Sequence, residues 1–310
     1  MRENLVNEIS TRYKIERREL IEKDIIIHEI LSDLSTDNFF AKNFLFKGGT
    51  CLVKSFIGYV RFSEDIDFTW KDQDIFKSKS VKELQKELSS LISKTGKIFE
   101  NIAASRGLDF KCEKSNNNYV DIGGGGKICT FYIRYSSEIL KNPSFLKVQI
   151  NFVEKLLYSS QNRKLHSLIL EKNEELKVLF SNQLEYLNSI DFETYDIKEI
   201  LCEKIRAILT RQGTKARDFL DVYLICTRLN TDLSEIENNA VEKLKFSLEM
   251  YEKYRNNFEE KIKLIESEKF FNWGEEQILL LEDVEEKFYE FNKTLIEFLK
   301  KIISKVIQNE

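Results

Sequence analysis

Between residues 44 and 70 the chain reads FLFKGGTCLVKSFIGYVRFSEDIDFTW, and few folds accommodate that stretch. An apolar run ends in Gly48-Gly49-Thr50. A short amphipathic segment follows, with Leu52, Val53 and Phe56 at helical spacing. Acids and apolar residues then alternate. Asp65 and Asp67 fall on one face of a strand, while Ile66 and Phe68 fall on the other. The pattern predicts a buried strand over 43–47, a helix over 50–57 and a second strand over 65–70. One face of that second strand is for chemistry and the other is for the core.

The residue types suit a metal-bound nucleotide. Glycine lets backbone approach a ligand closely, and a helix start offers free N–H groups and a positive dipole to phosphate. Two carboxylates on one strand face repel each other unless a cation lies between them. Mg²⁺ takes few protein oxygens and completes its shell with phosphate and water. A plain turn and a pair of solvated acids are the competing readings. The apolar flank of Phe62, Ile66, Phe68 and Trp70 weighs against them. Neither a P-loop nor a dinucleotide fingerprint is present, because both need other glycine spacings.

Composition narrows the class. The 310 residues are 42% hydrophobic and 32% charged, which suits a globular protein of one or two domains. A net charge of −4 speaks against a protein that coats nucleic acid, so any such contact needs a local patch. Cys51, Cys112, Cys129, Cys202 and Cys226 show no CxxC spacing and read as reduced thiols of a cytoplasmic protein. The polar segment over residues 1–10 is no signal peptide, and no apolar run reaches the roughly 20 residues of a membrane span.

Helical periodicity covers 2–34, with a break expected near 10–11. His28 within it reads as structural, since no second His or Cys stands at ligand spacing. A helix is expected over 81–105, then strands over 108–112, 127–135 and 145–152. The glycines at 123–126 read as a hairpin tip, and edge strands are expected at 163–170 and 177–180. Helices follow over 197–211, 215–229, 233–268 and 285–307, with a loop near 271–274. The shift in pattern places a domain boundary at 195, giving a mixed domain over 1–195 and a helical one over 196–310.

A third charged group lies in the helical part. Lys204 and Arg211 are seven apart, Arg217 and Asp221 four apart, and Asp218 and Asp221 three apart, so each pair shares a helix face. Such a cluster is either a salt-bridge network or a lysine reaching triphosphate, with an aspartate that orients it or activates a nucleophile.

KGGT, RFSEDIDF, Glu203-Lys204 with RAIL and Arg211, and KARDFLD stand in this order. Over about residues 25–230 the chain thereby resembles the AbiEii/AbiGii toxin family of bacterial abortive-infection and type IV toxin–antitoxin systems. That family lies within the DNA polymerase β-like nucleotidyltransferases. The resemblance implies an α+β nucleotidyltransferase fold, a small mixed sheet flanked by helices, followed by a C-terminal helical bundle. It implies that Gly48, Gly49 and Thr50 cradle the triphosphate, with Ser63 and Arg61 bracing the loop. Asp65 and Asp67 would ligate Mg²⁺, or Mn²⁺ in its place. Lys204 and Arg217 would contact the phosphates, and Asp221 or Asp218 would supply the late acid. The implied reaction moves a nucleoside monophosphate from an NTP to an acceptor such as the 3′ end of a tRNA. The implied partner is a cognate antitoxin.

One departure stands out. Many members of the superfamily place a third carboxylate on a later strand. Here the corresponding run, FLKVQINF, offers Lys147, Gln149 and Asn151, and Glu154 is the nearest acid. Two other readings therefore stay open: a GTP- or ATP-binding protein without transfer, and a vestigial site beside a helical domain that docks a partner.

Overall fold

The structure, a computed structural model, describes residues 2–169, 174–265, 267 and 270–308. The chain forms two compact units, one of residues 1–154 and 160–194, the other of 155–159 and 195–310.

The first unit opens with α1 (Arg2–Tyr13), α2 (Arg18–Thr36) and α3 (Asn38–Asn43). Strand β1 (Phe44–Lys47) leads into α4 (Gly48–Leu52), whose last turn widens into a π-helical turn over Val53–Ile57. Then come β2 (Asp65–Trp70), α5 (Val81–Arg106), β3 (Val120–Gly123), β4 (Ile128–Ser136), β5 (Pro143–Asn151), β6 (Gln161–Leu165), α6 (Glu174–Leu179), α7 (Leu184–Leu187) and β7 (Ile190–Thr194). The strands form one mixed sheet in the order β3-β4-β5-β2-β1-β7-β6. β2 runs antiparallel to β1 and parallel to β5, so the candidate acids lie near the middle of the sheet.

One face of the sheet is the core. Ile66, Phe68, Val148, Ile150, Phe131 and Ile133 are all fully buried. α5 covers them with Leu88, Ile92, Phe99 and Ala103, spaced three or four residues apart along the helix or by sums of these. Phe99 meets Phe131 with ring centroids 5.1 Å apart. Each buried phenylalanine contributes about 1.5–3 kcal/mol through the apolar area it removes from water. Ser80 starts α5 with a capping box: its hydroxyl accepts from the Glu83 N–H, and the Glu83 carboxylate accepts from the Ser80 N–H.

The second unit is helical, with α8 (Ile197–Thr210), α9 (Ala216–Arg228), α10 (Glu237–Met250), α11 (Glu252–Leu264) and α12 (Glu286–Ile307). α12 turns Phe288, Leu295, Leu299, Ile302 and Val306 inward at heptad-like spacing. Lys243 is fully buried on α10 and ion-paired to Glu199 and Glu203 of α8. This fold is the α+β arrangement expected from the sequence.

Several local expectations are corrected. The first helix breaks at 14–17 and not at 10–11, because Lys14 takes a positive φ of 54° and the Ser10 hydroxyl reaches forward to the Ile15 carbonyl. Residues 108–112 add only a single bridge, Asp109 to Arg134. The apolar run at 177–180 is no strand: 174–179 is the helix α6, built of good helix formers, with Val178 and Leu179 exposed. The edge strand expected over 163–170 spans Gln161–Leu165, and residue 170 lies outside the described residues. The helix expected over 233–268 begins as a tight turn at Leu233–Ile236 and divides at Tyr251. Tyr251 takes extended backbone (φ −137°, ψ 110°) with no Gly or Pro to announce the break. Residues 266 and 268 lie outside the described set.

His28 is structural. It is buried, its Nε2 lies 3.0 Å from the Asn188 carbonyl, and burial lowers its pKa to about 3. All five cysteines are free. No helix among the described residues is long and apolar enough to cross a membrane.

Candidate active site

The site is built where β1 hands over to α4. Gly48 takes φ +78°, a left-handed backbone that costs L side chains energy. Space forbids a side chain there as well, because a Cβ on Gly48 would lie 2.2 Å from Asp67 Oδ2. The glycine turn and the Asp67 carboxylate are therefore in direct contact. Gly49 is equally confined: a Cβ there would lie 2.9 Å from Arg61 Nη2 and 3.1 Å from Ser63 Oγ. Arg61 is almost wholly buried, and its Nη1 donates to the Phe62 carbonyl at 2.8 Å. The Thr50 hydroxyl donates to the Asp65 carbonyl and lies 2.9 Å from Ser63 Oγ. Arg61, Ser63 and Thr50 thus hold the Gly-Gly turn against the start of β2. The Thr50 side chain faces protein, so what it can offer a phosphate is its main chain.

Asp65 and Asp67 alternate with buried Ile66 and Phe68 and are themselves half-buried. Their face continues onto β5, where Lys147 stands beside Asp65 and Gln149 beside Asp67. Gln149 Nε2 donates to Asn151 Oδ1 at 3.2 Å, and Asn151 Nδ2 donates to Glu154 Oε2 at 3.3 Å. Lys47 Nζ donates to the same Glu154 oxygen at 3.2 Å, with both side chains buried. The position beside Asp67 is thus an amide, and the nearest further acid on this side is engaged by a buried lysine.

A divalent cation fits this donor set. Two carboxylates on one face offer hard oxygens, and the glycine turn lies beside Asp67. Mg²⁺ needs no more from a protein when phosphate and water complete its shell. Among the described residues no group of three or more His, Cys, Asp or Glu gathers as an all-protein metal cage.

The second charged group lies within the second unit. Lys204 Nζ stands 2.9 Å from Asp218 Oδ1 and 2.6 Å from Asp221 Oδ2. Arg211 Nη1 is 2.6 Å from Asp218 Oδ2. Burial alone would raise the Asp218 pKa, but the charges of Lys204 and Arg211 outweigh it and hold the carboxyl well below its usual range. The structure brings these four side chains together. Arg217 Nε lies 3.3 Å from Glu276, and the Arg217 charge also acts on Asp218.

Sequence reasoning passed over Lys47 and its pairing with Glu154. A signal was present, since a charged residue ends the otherwise apolar run FLFK. A lysine in a buried strand needs a partner.

A family model described as "Nucleotidyl transferase AbiEii toxin, Type IV TA system" matches residues 29–301. The chain belongs to this family. It is therefore a nucleotidyltransferase, an enzyme of a toxin–antitoxin family. Among solved structures, MenT4, a nucleotidyltransferase toxin from Mycobacterium tuberculosis H37Rv, superposes with a TM-score of 0.58 at 16% identity, covering 95% of this chain and 89% of that one. At that identity the likeness speaks for the fold. JHP933 from Helicobacter pylori (TM-score 0.42, 15% identity, 94% of each chain) is also similar. So is a putative nucleotidyltransferase from H. pylori (TM-score 0.41, 17% identity, 94% of this chain and 98% of that one). No curated protein matches the chain.

Proposed function

We propose that the chain transfers a nucleoside monophosphate from an NTP to the 3′ end of an RNA such as tRNA, as the cytoplasmic toxin of a toxin–antitoxin pair with a cognate antitoxin. The observation that carries this is the contact of the Gly48 turn with the Asp67 carboxylate, beside Asp65 on the same strand face. In this reading the turn would offer its backbone to phosphate beside carboxylates that would hold a metal. Asp65 and Asp67 would hold Mg²⁺, or Mn²⁺ in its place. When bound, the ion polarises the α-phosphate and lowers the pKa of the attacking hydroxyl. The N–H groups of Gly48, Gly49 and Thr50 bind the triphosphate and stabilise charge on the departing pyrophosphate. Ser63 and Arg61 keep the turn in place. Lys204 is proposed to serve the phosphates and Asp218 or Asp221 to orient it, with Arg217 as a further phosphate contact.

A second reading has a specific observation in its favour. With Gln149 beside Asp67 and Glu154 engaged by Lys47, β2 offers two acids and the adjoining β5 position an amide, which suits nucleotide binding without transfer. Incubation with each α-labelled NTP and total RNA, with and without Mg²⁺, separates the two. Transfer predicts label in an RNA band that disappears with EDTA. Tight Mg²⁺–NTP binding with no labelled product supports the second reading instead.

A further inference from the structure

We propose that the open face of the sheet next to Asp65 is the acceptor subsite. In it Tyr132 and Phe145 form a stacking platform for the unpaired 3′ end of an RNA strand, flanked by Lys147 and Arg134. This rests on the acceptor being RNA, and it names where that RNA is gripped.

The register places the residues. Asp65 on β2 stands beside Lys147 on β5, and Lys147 stands opposite Tyr132 on β4. One step along the same face, Phe145 stands opposite Arg134. The intervening residues Leu146, Val148, Phe131 and Ile133 point into the core, so these four side chains share the face of the acids. That face is not closed over. Phe145 is 41% exposed and Lys147 is exposed, while Tyr132 and Arg134 are half-buried.

Phe145 has no role in the core, yet its ring meets Tyr132 edge-on with centroids 5.7 Å apart. An aromatic pair on a sheet face with one ring exposed offers stacking to unpaired bases of any sequence. The cations are placed to serve the strand's backbone. Arg134 lies 5.8 Å from the Tyr119 ring centroid and donates to the Asn118 carbonyl, which fixes it beside the platform. Lys147 stands between the platform and Asp65, where the last phosphodiester of a stacked strand would pass.

Charge limits the occupant. Besides the buried Lys47–Glu154 pair, the face carries Arg134 and Lys147 against Asp65, Asp67, Asp109 and Asp121, in a chain of net charge −4. That is too little positive charge for a duplex tract, and it suits one or two terminal nucleotides. The salt dependence of binding should accordingly be shallow, with a slope of about −1.4 for two phosphates on a single strand.

The test uses the full chain and fluorescent RNA oligonucleotides, one single-stranded and one a blunt duplex, with Tyr132→Ala/Phe145→Ala compared to the wild type. The expected result is at least about tenfold weaker binding of the single strand and a raised KM for RNA. Mg²⁺–NTP affinity and the thermal melt should be unchanged, and Tyr132→Phe should retain binding. Unchanged RNA affinity and KM in the double variant, with the wild type still labelling RNA, overturns the platform and leaves the transferase reading standing. A blunt duplex bound as tightly as the single strand also overturns it. A wild type that labels no RNA removes both.

Discussion

The molecule holds two pairs of aspartates in opposite circumstances. Asp218 and Asp221 are buried and share one lysine, with Arg211 completing the charge balance on Asp218. Asp65 and Asp67 are half-buried on an open strand face, with a glycine turn pressed against Asp67. Acids of the first kind are ion-paired to fixed protein cations in the helical unit. Acids of the second kind lie on a partly exposed strand face beside a glycine turn. Spacing alone does not separate the two, since both sit at intervals that put them on one face.

The sharpest way to break this comparison is to remove the shared lysine. Lys204→Ala takes from Asp218 and Asp221 the buried lysine they share, leaving Arg211 on Asp218, and the expected loss is about 3–5 kcal/mol of stability. Chemical denaturation checks it. A variant as stable as the wild type would mean that Lys204 does not neutralise these acids in solution. The same variant bears on Lys204 as a phosphate contact only where the protein is still folded, so NTP calorimetry belongs below its melting transition.

A smaller effect is expected at the turn. Gly48→Ala places a side chain at positive φ and against Asp67, for about 1–3 kcal/mol of strain. Its consequence for Mg²⁺–NTP binding should be the larger one, because the carboxylate itself must move. Equal nucleotide affinity in Gly48→Ala and wild type would separate the turn from the site.

At neutral pH the smallest effect is at His28, whose contribution shows only as a pH dependence on the acid side. His28 has its pKa lowered to about 3 by burial in the folded protein, against about 6.5 unfolded. The unfolded chain therefore binds the extra proton between those values, and stability falls as pH drops from about 6.5 toward 3. His28→Asn should flatten that part of the melting-temperature profile. A profile of unchanged slope would show that other groups set the acid limb.

The fold was largely legible where one periodicity dominated. Alternation in DIDFTW and FLKVQINF placed β2 and β5, and the helical stripes of α5, α8, α9 and α12 were plain. β3 and β7 were not read, being short strands whose place is set by their neighbours in the sheet. The division at Tyr251 was hidden for want of a glycine or proline. At the site, the pattern showed the glycines and acids, and the run 145–152 showed where a third acid was missing. It did not show that Lys47 engages Glu154, a contact between residues 107 apart. Nor did it show Arg217 turned to Glu276, because helical spacing fixes a face but not the partner across from it.

The central claim is that Asp65 and Asp67 hold the metal-bound nucleotide. Its most direct test is the double variant Asp65→Asn/Asp67→Asn, assayed for transfer from labelled NTP to RNA alongside a thermal melt. The account predicts transfer below detection with a melting temperature near that of the wild type, since the amides keep the shape and lose only the charge. Full transfer by the folded double variant would contradict it.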